Sequence, residues 1–370
     1  MQNKRANIKI IISGGGTGGH VFPAIAIARA LEQKLPHVEF LFVGAKGRME
    51  MEKVPAAGYR IEGLNISGFQ RRLTWKNLMF PFKLFLSLRK ARTLIRAFQP
   101  DIVIGVGGYA SGPVLRVASR KGIPTLIQEQ NSFPGITNRI LARSVDRICV
   151  AYDKMDRFFP KEKIYLTGNP VRHEVIEAPV EPARAREFFK LAPDKKTVLV
   201  VGGSLGALSV NKGIQHAMKR IIEQDIQLIW QTGKSFFEQA RHSVSEQGGQ
   251  QVFVSEFIHR MDMAYAAADL VVSRAGAIAI SEIQAVKKPA ILVPSPNVAE
   301  DHQTKNAMAL VNYHAAILVK DEQAPAHLGD AILDTLNNEQ ELIKLHSNIA
   351  RLAKQDAADS IASVIIDMIK

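Results

Sequence analysis

Short apolar runs rich in β-branched residues recur along this chain, separated by segments whose apolar positions return every three or four residues. The first run, Ile8-Lys9-Ile10-Ile11-Ile12, leads directly into Gly14-Gly15-Gly16-Thr17-Gly18-Gly19, and a small-residue helix is predicted from Pro23 to Leu31. Glu39–Val43, Asp101–Gly105 and Pro124–Ile127 read as further strands. Runs that are continuously apolar, not alternating, mark strands covered on both faces, as in a parallel sheet flanked by helices.

The pattern restarts at Thr197–Val201, which is followed by Gly202-Gly203-Ser204-Leu205-Gly206-Ala207 and a helical stretch. Gln227–Trp230, Gln251–Val254, Leu270–Val272 and Ala290–Val293 continue the strand series. The segment from Val175 to Lys196 is charged, carries prolines and breaks the periodicity, so it reads as the linker. A chain of 370 residues is long enough for two domains. The prediction is an α/β protein with two Rossmann-like, doubly wound parallel-sheet domains, residues 1–170 and 171–350. In such folds ligands bind at the carboxyl ends of the strands, here in a cleft expected between the domains.

Composition narrows the function classes. Hydrophobic residues make up 46% of the chain, yet no apolar run reaches the roughly 18–20 residues needed to span a bilayer. The N-terminus lacks the apolar stretch of a signal peptide, and the single cysteine, Cys149, suits a reducing cytosol. A cytosolic or peripheral protein is expected. The net charge of +13 points to anionic partners: nucleic acid, anionic lipid or phosphorylated substrates.

That charge is concentrated. Between Gly63 and Pro100 there is no acidic residue, while Arg71, Arg72, Lys76, Lys83, Arg89, Lys90, Arg92 and Arg96 alternate with aromatic and aliphatic side chains. Cations mixed with aromatics suit an amphipathic segment on an anionic membrane surface. Pro81 divides the segment into a loop and a helix. Leu84, Leu88, Leu94 and Ile95 are expected to face the core, leaving Trp75, Leu78, Met79, Phe80 and Phe82 to meet lipid. The concentration in one segment, together with the glycine loops, argues against a nucleic-acid-binding module.

The candidate chemistry lies in loops at strand ends. Gly14, Gly16 and Gly19 satisfy GxGxxG between a strand and a helix, where backbone amides can receive a phosphate. The second strand ends Val43-Gly44-Ala45-Lys46 without a carboxylate, which disfavours NAD; NADP, with Lys46 or Arg48 on its extra phosphate, stays open. Gly105-Val106-Gly107-Gly108-Tyr109, Gly202–Ala207 and Ser273-Arg274-Ala275-Gly276-Ala277 repeat the arrangement. His20, opening a helix beside the first loop, suits a general base kept neutral by the helix dipole. Gln128-Glu129-Gln130-Asn131 follows a buried strand, Arg172 could pair with a diphosphate, and Glu282 could hold a ribose diol. Asp301-His302-Gln303-Thr304-Lys305-Asn306 offers polar groups for sugar hydroxyls. No Walker lysine, nucleophile elbow or metal-spaced Cys/His set occurs, so no metal site is predicted.

Taken together, these strings resemble the MurG family from end to end: GGGTGGHVFPA (Gly14 to Ala24), GVGGYASGP (Gly105 to Pro113), EQN (Glu129 to Asn131), GNPVR (Gly168 to Arg172), GGSLGA (Gly202 to Ala207), SRAGA…SE (Ser273 to Glu282) and DHQTKNA (Asp301 to Ala307). The resemblance implies a GT-B architecture whose C-terminal helix, residues 357–369, returns to the first domain. It implies an inverting transfer of N-acetylglucosamine from its UDP-sugar to the 4-hydroxyl of undecaprenyl-pyrophosphoryl-muramyl pentapeptide, at the cytoplasmic face of the plasma membrane. The implied UDP-sugar contacts are Thr17, Gly18, Asn131, Arg172, Ser204, Ile258, Ala277, Glu282, His302 and Gln303. Acceptor diphosphate would meet Gly16, Thr17, Gly18, Gly107, Gly108 and Tyr109, with His20 as base and Asn131 assisting. No cofactor is required on this reading, stimulation by a divalent cation being left open. Implied partners are the two substrates, an anionic membrane surface and other cell-wall synthesis proteins, with no nucleic acid. Two positions depart from the usual pattern: Ala279 stands where many members carry Thr, and His302 is not shared by every member. Another nucleotide sugar or glycolipid acceptor remains open.

Overall fold

Alternate residues of each strand leave the sheet on opposite faces, and here both faces are buried. Ile11, Leu41, Val43, Val103 and Ile127 enter the core on one side. Ile10, Ile12, Phe40, Phe42, Ile102 and Ile104 enter it on the other. This two-sided burial is why the strands read as unbroken apolar runs. The computed structural model describes residues 7–66, 80–176, 180–203 and 205–370.

The first sheet contains β1 (Ile8–Ser13), β2 (Val38–Ala45), β3 (Ile61–Leu64), β4 (Ile102–Gly105), β5 (Thr125–Glu129), β6 (Arg147–Val150) and β7 (Ile164–Leu166). Their order is β3-β2-β1-β4-β5-β6-β7, with every neighbouring pair parallel. The second sheet contains β8 (Thr197–Val201), β9 (Gln227–Gln231), β10 (Val252–Ser255), β11 (Leu270–Ser273), β12 (Ala290–Leu292) and β13 (Ile317–Leu318). It is also parallel, in the order β10-β9-β8-β11-β12-β13. Helices connect the strands in both, so each is a doubly wound, Rossmann-like parallel sheet.

The chain divides into two compact units, Met1–Val171 with Asp356–Lys370, and Arg172–Gln355. In the first unit the helix Ala357–Ile369 packs on the helix Gly18–Lys34. Ile361, Ala362 and Ile365 are fully buried in one cluster with Val21, Ile27, Ala28 and Leu31. The stretch Val175–Lys196, expected to be the linker, falls within the second unit. Its helix Pro182–Phe188 carries Arg186, whose guanidinium is buried against Ala267 O (3.1 Å), Pro193 O (2.7 Å) and the Asp269 carboxylate. A charge run that looks like a solvated linker is thus part of that unit's framework.

Four strands went unpredicted. β3 and β7 are edge strands and β13 has two residues, so none carries the long apolar signal of a central strand. β6 is central but opens on Arg147 and is only four residues long. The first helix begins at Gly18, earlier than Pro23, because the two glycines that read as loop already take helical geometry. In the helix Phe80–Phe98, Pro81 sits in the first turn, where its missing N–H costs nothing.

Candidate active site

In each sheet the strand order reverses between the first strand and a later neighbour, at β1/β4 and at β8/β11. Loops leaving these adjacent strands diverge and create room for a ligand at the carboxyl edge. In the first unit, the loop after β1 and the loop after β4 interlock. Gly108 has φ +84, and a Cβ there would lie 2.3 Å from the carbonyl oxygen of Gly15. A Cβ on Gly14 would lie 2.3 Å from Val106 Cγ2. Only glycine permits this approach.

Thr17 precedes the helix Gly18–Lys34, and His20 occupies its first turn. The Thr17 hydroxyl lies 3.2 Å from His20 Nδ1, and the ring rests against Gly107, where a Cβ would come 2.9 Å from Nε2. Gly16, Thr17 and Tyr109 are exposed, Gly18 and Gly108 are half-buried, and Gly107 is buried. The Gly16 amide, expected to meet the acceptor diphosphate, instead donates to the Glu50 carboxylate at 2.8 Å. An anion at this loop must meet other donors.

Buried amides adjoin the same turn, with Gln130 Oε1 3.6 Å from a Cβ placed on Gly107. Gln128 Nε2 donates to Asn169 Oδ1 (2.8 Å), Asn169 Nδ2 to the Gln130 carbonyl (2.9 Å), and Gln130 Nε2 to both Val106 O (2.8 Å) and Gln128 Oε1. The loops after β4, β5 and β7 are thereby tied together. Glu129 is buried and accepts from Asn131 N (3.0 Å), Asn131 Nδ2 (3.1 Å), Gly135 N (3.1 Å) and Asn138 Nδ2 (2.9 Å). Burial nevertheless outweighs these bonds and pushes its carboxyl above the usual range. Asn131, expected to contact sugar, is thus oriented by Glu129.

The second unit is organised by Gln231 at the end of β9. This buried side chain accepts the amide of Ile258 at 2.9 Å and donates to the Gly203 carbonyl at 3.0 Å. The Ile258 backbone, expected to read uracil, thus has its amide committed to Gln231. Gly206 and Gly233 both have positive φ and abut: a Cβ on Gly206 would lie 2.0 Å from Thr232 O.

At β11 the helix Ala277–Ala285 begins with the buried Ala277 and carries the buried Glu282. Arg172 and Glu282, expected to serve diphosphate and ribose separately, are paired with each other through two hydrogen bonds, and Tyr265 adds a third. Arg274 ties the loops after β11 and β12 together, donating to Val293 O (3.1 Å), Pro294 O (3.3 Å) and the Asp321 carboxylate. His302 and Gln303 open the helix His302–Val311; Gln303 Oε1 accepts Ser295 N at 2.8 Å. Ser204, Trp75, Leu78 and Met79 lie outside the described residues. The sequence reading missed Glu50, Gln231 and Arg274 as organisers of the loops. A carboxylate or amide beside a glycine-rich strand end was the available signal.

Residues 10–150 match the model of the glycosyltransferase family 28 N-terminal domain, and residues 197–361 that of its C-terminal domain. A protein of Parabacteroides distasonis is 52% identical over 98% of both chains, and one of Bacteroides thetaiotaomicron is 53% identical over 98% of both. Both are named UDP-N-acetylglucosamine–N-acetylmuramyl-(pentapeptide) pyrophosphoryl-undecaprenol N-acetylglucosamine transferase. The crystal structure of Acinetobacter baumannii MurG superposes with a TM-score of 0.79 at 28% identity, covering 97% of this chain and 99% of that one.

The chain belongs to the MurG family. As a MurG-family member it is a glycosyltransferase, which sets aside the oxidoreductase and non-catalytic-module alternatives. The strings that carried the MurG resemblance occupy the loops after β1, β4, β5, β7, β8 and β11 and the helix His302–Val311. All but the last begin at a strand end, several running on into the helix that follows, and strand ends are the part of a doubly wound sheet that holds ligands.

Proposed function

We propose that this protein transfers N-acetylglucosamine from UDP-N-acetylglucosamine to the 4-hydroxyl of the muramyl sugar in undecaprenyl-pyrophosphoryl-muramyl pentapeptide, with inversion at the anomeric carbon. The observation that carries this reading is the match, over 98% of both chains, to relatives named for that transfer.

In this reading the first unit receives the acceptor. His20 removes the proton of the attacking hydroxyl, its Nδ1 oriented by the Thr17 hydroxyl. Amides of the loops Thr17–Gly19 and Gly107–Tyr109 receive the acceptor pyrophosphate, with the helix N-terminus favouring negative charge. The second unit receives the donor. Tyr265 and Arg172 occupy three of the roughly four acceptor sites of the Glu282 carboxylate, leaving one for a ribose hydroxyl. The Ile258 carbonyl accepts the uracil N3 proton, and Gln303 and His302 meet the sugar. As UDP departs, backbone amides at Gly202–Ala207 and Ala277 meet the growing charge, so no cofactor is required.

We place the protein at the cytoplasmic face of the membrane. Among the described residues no helix is long and apolar enough to cross a bilayer. The helix Phe80–Phe98 buries Ser87, Ala91, Ile95 and Phe98 while Phe82 and Phe85 stay more than half exposed, with Arg89 5.9 Å from the Phe85 ring. Such a face suits anionic lipid.

The decisive experiment follows labelled N-acetylglucosamine onto the lipid-linked acceptor, with UDP release measured in parallel. Replacing His20 with Ala should lower kcat by about 10²–10⁴-fold while leaving donor KM nearly unchanged. No transfer by the wild-type protein would remove the reading; full turnover by the variant would remove His20 as base.

A further inference from the structure

Glu50 opens the helix Glu50–Ala56, five residues beyond the end of β2, and its side chain is buried. One carboxylate oxygen accepts the amide of Ala45 at 2.8 Å, and the other accepts the amide of Gly16 at 2.8 Å. These amides lie on different segments, one in the last residue of β2 and one in the loop after β1. Two further glycines make the space: a Cβ on Gly15 would lie 2.2 Å from Glu50 Cδ, and one on Gly44 would lie 2.4 Å from Glu50 Cγ. Among the described residues no cation pairs with Glu50. A buried carboxylate held by two amides alone is a poor source of stability, since desolvating the charge offsets much of what the hydrogen bonds return. What it does provide is geometry.

The turn it grips is already held on its far side, where the Gly15 carbonyl abuts Gly108. Glu50 fixes the near side by drawing the Gly16 N–H inward. The next residue is Thr17, whose hydroxyl meets His20 Nδ1 at 3.2 Å and whose carbonyl accepts the His20 amide at 3.1 Å.

We propose that Glu50 is a positioning residue for the acceptor half of the reaction, setting the turn Gly14–Thr17 and, through Thr17, the imidazole of His20. This inference rests on the reading that the first unit receives the acceptor. Glu50 also occupies the Gly16 amide with the protein's own carboxylate, so an incoming diphosphate is directed to the donors that follow, from Thr17 onward. Glutamine at this position keeps the shape but turns an NH₂ toward one of the two amides. Aspartate keeps the charge but is one methylene too short to bridge them.

The test is steady-state kinetics with UDP-N-acetylglucosamine and a short-chain lipid-linked muramyl pentapeptide, varying each substrate in turn. Glu50→Gln should lower kcat/KM for the acceptor by roughly tenfold or more, because a lost charge-assisted hydrogen bond displaces the groups that follow. Donor KM should stay within about twofold and the melting temperature within a few degrees, since the fold keeps an isosteric side chain. In Glu50→Ala, added formate should restore part of the acceptor turnover by refilling the carboxylate site. An acceptor kcat/KM equal to wild type in Glu50→Gln, with His20→Ala inactive, would overturn the inference and leave the acceptor reading intact. A loss shared equally by donor KM and melting temperature, without formate rescue, would make Glu50 structural only and also overturn it. Wild-type kinetics in both Glu50→Gln and His20→Ala would remove the acceptor reading and the inference together.

Discussion

Arg172 and Glu282 stand 110 residues apart in the chain and close on each other in a two-pronged contact, Nε to Oε1 at 2.7 Å and Nη2 to Oε2 at 3.0 Å. Glu282 is buried and Arg172 about one-third exposed. The Tyr265 hydroxyl donates to the same carboxylate at 3.1 Å. Burial first, then the charge of Glu282, hold that phenol well above its ordinary range, so it remains a donor throughout the working pH range. The pair thus presents one neutral, rigid unit at the second switch point.

Removing Arg172 leaves the buried Glu282 carboxylate with the Tyr265 hydroxyl but without its cation. Arg172→Ala should cost roughly 2–4 kcal/mol of stability, somewhat below a fully buried pair because the guanidinium is partly solvated. Arg172→Lys keeps the charge but loses the fork, so donor affinity should fall while the protein stays folded. Calorimetry of UDP-N-acetylglucosamine binding and thermal melts would measure both. Unchanged donor affinity in Arg172→Lys would show that the pair does not shape the donor site.

Two glycines of the first unit predict opposite behaviour. Gly16 has φ +96 with nothing near an added Cβ, so Gly16→Ala should cost only the dihedral strain, about 1–2 kcal/mol. Gly108 has φ +84 and would drive a Cβ into the Gly15 carbonyl at 2.3 Å. Because that obstacle is backbone, Gly108→Ala should lose more stability and nearly all acceptor turnover. Equal melting temperatures in the two variants would contradict the interlocked-loop account.

Glu129 supplies a pH prediction. Burial raises its folded pKa above the unfolded value of about 4.3, so the folded state binds this proton more tightly. Its contribution to stability is therefore complete below the unfolded value and lost as pH rises through the raised folded value. Glu129→Gln removes that titration. The stability advantage of wild type over the variant should shrink from pH 4 to pH 7. A constant difference across those melts would mean that the four donors around Glu129 hold its pKa at the ordinary value.

The exposed face of the helix Phe80–Phe98 makes the membrane reading measurable. Phe82→Ser with Phe85→Ser should weaken sedimentation with anionic vesicles and leave turnover of a short-chain soluble acceptor unchanged. High salt should weaken wild-type binding further, because each basic residue near anionic lipid contributes roughly 1 kcal/mol that salt screens. Equal binding to neutral and anionic vesicles would argue against the role of these cations.

Much of the fold was legible in the chain because its signals are local. The runs Ile8–Ile12 and Thr197–Val201 declare buried strands, and the glycines after them declare turns that only small residues can make. Pro81 marked the start of a helix. β3 was hidden because Glu62 and Gly63 interrupt it, and β7 and β13 because runs of three and two residues are too short to read as strands. Val175–Lys196 misled because Arg186 finds its acceptors, Ala267 and Asp269, about eighty residues later.

By itself, then, the sequence determined two parallel sheets, the glycine loops at their strand ends and the side chains gathered there, since spacing and residue type are properties of short segments. Tertiary structure decided which of those groups are already occupied. The Gly16 amide is taken by Glu50 from the next βα unit, the Ile258 amide by Gln231 from the neighbouring strand, and the Arg172 guanidinium by Glu282. A backbone donor is the same chemical group at every position. Whether it meets a ligand or a distant side chain depends on strand order, which no local pattern encodes.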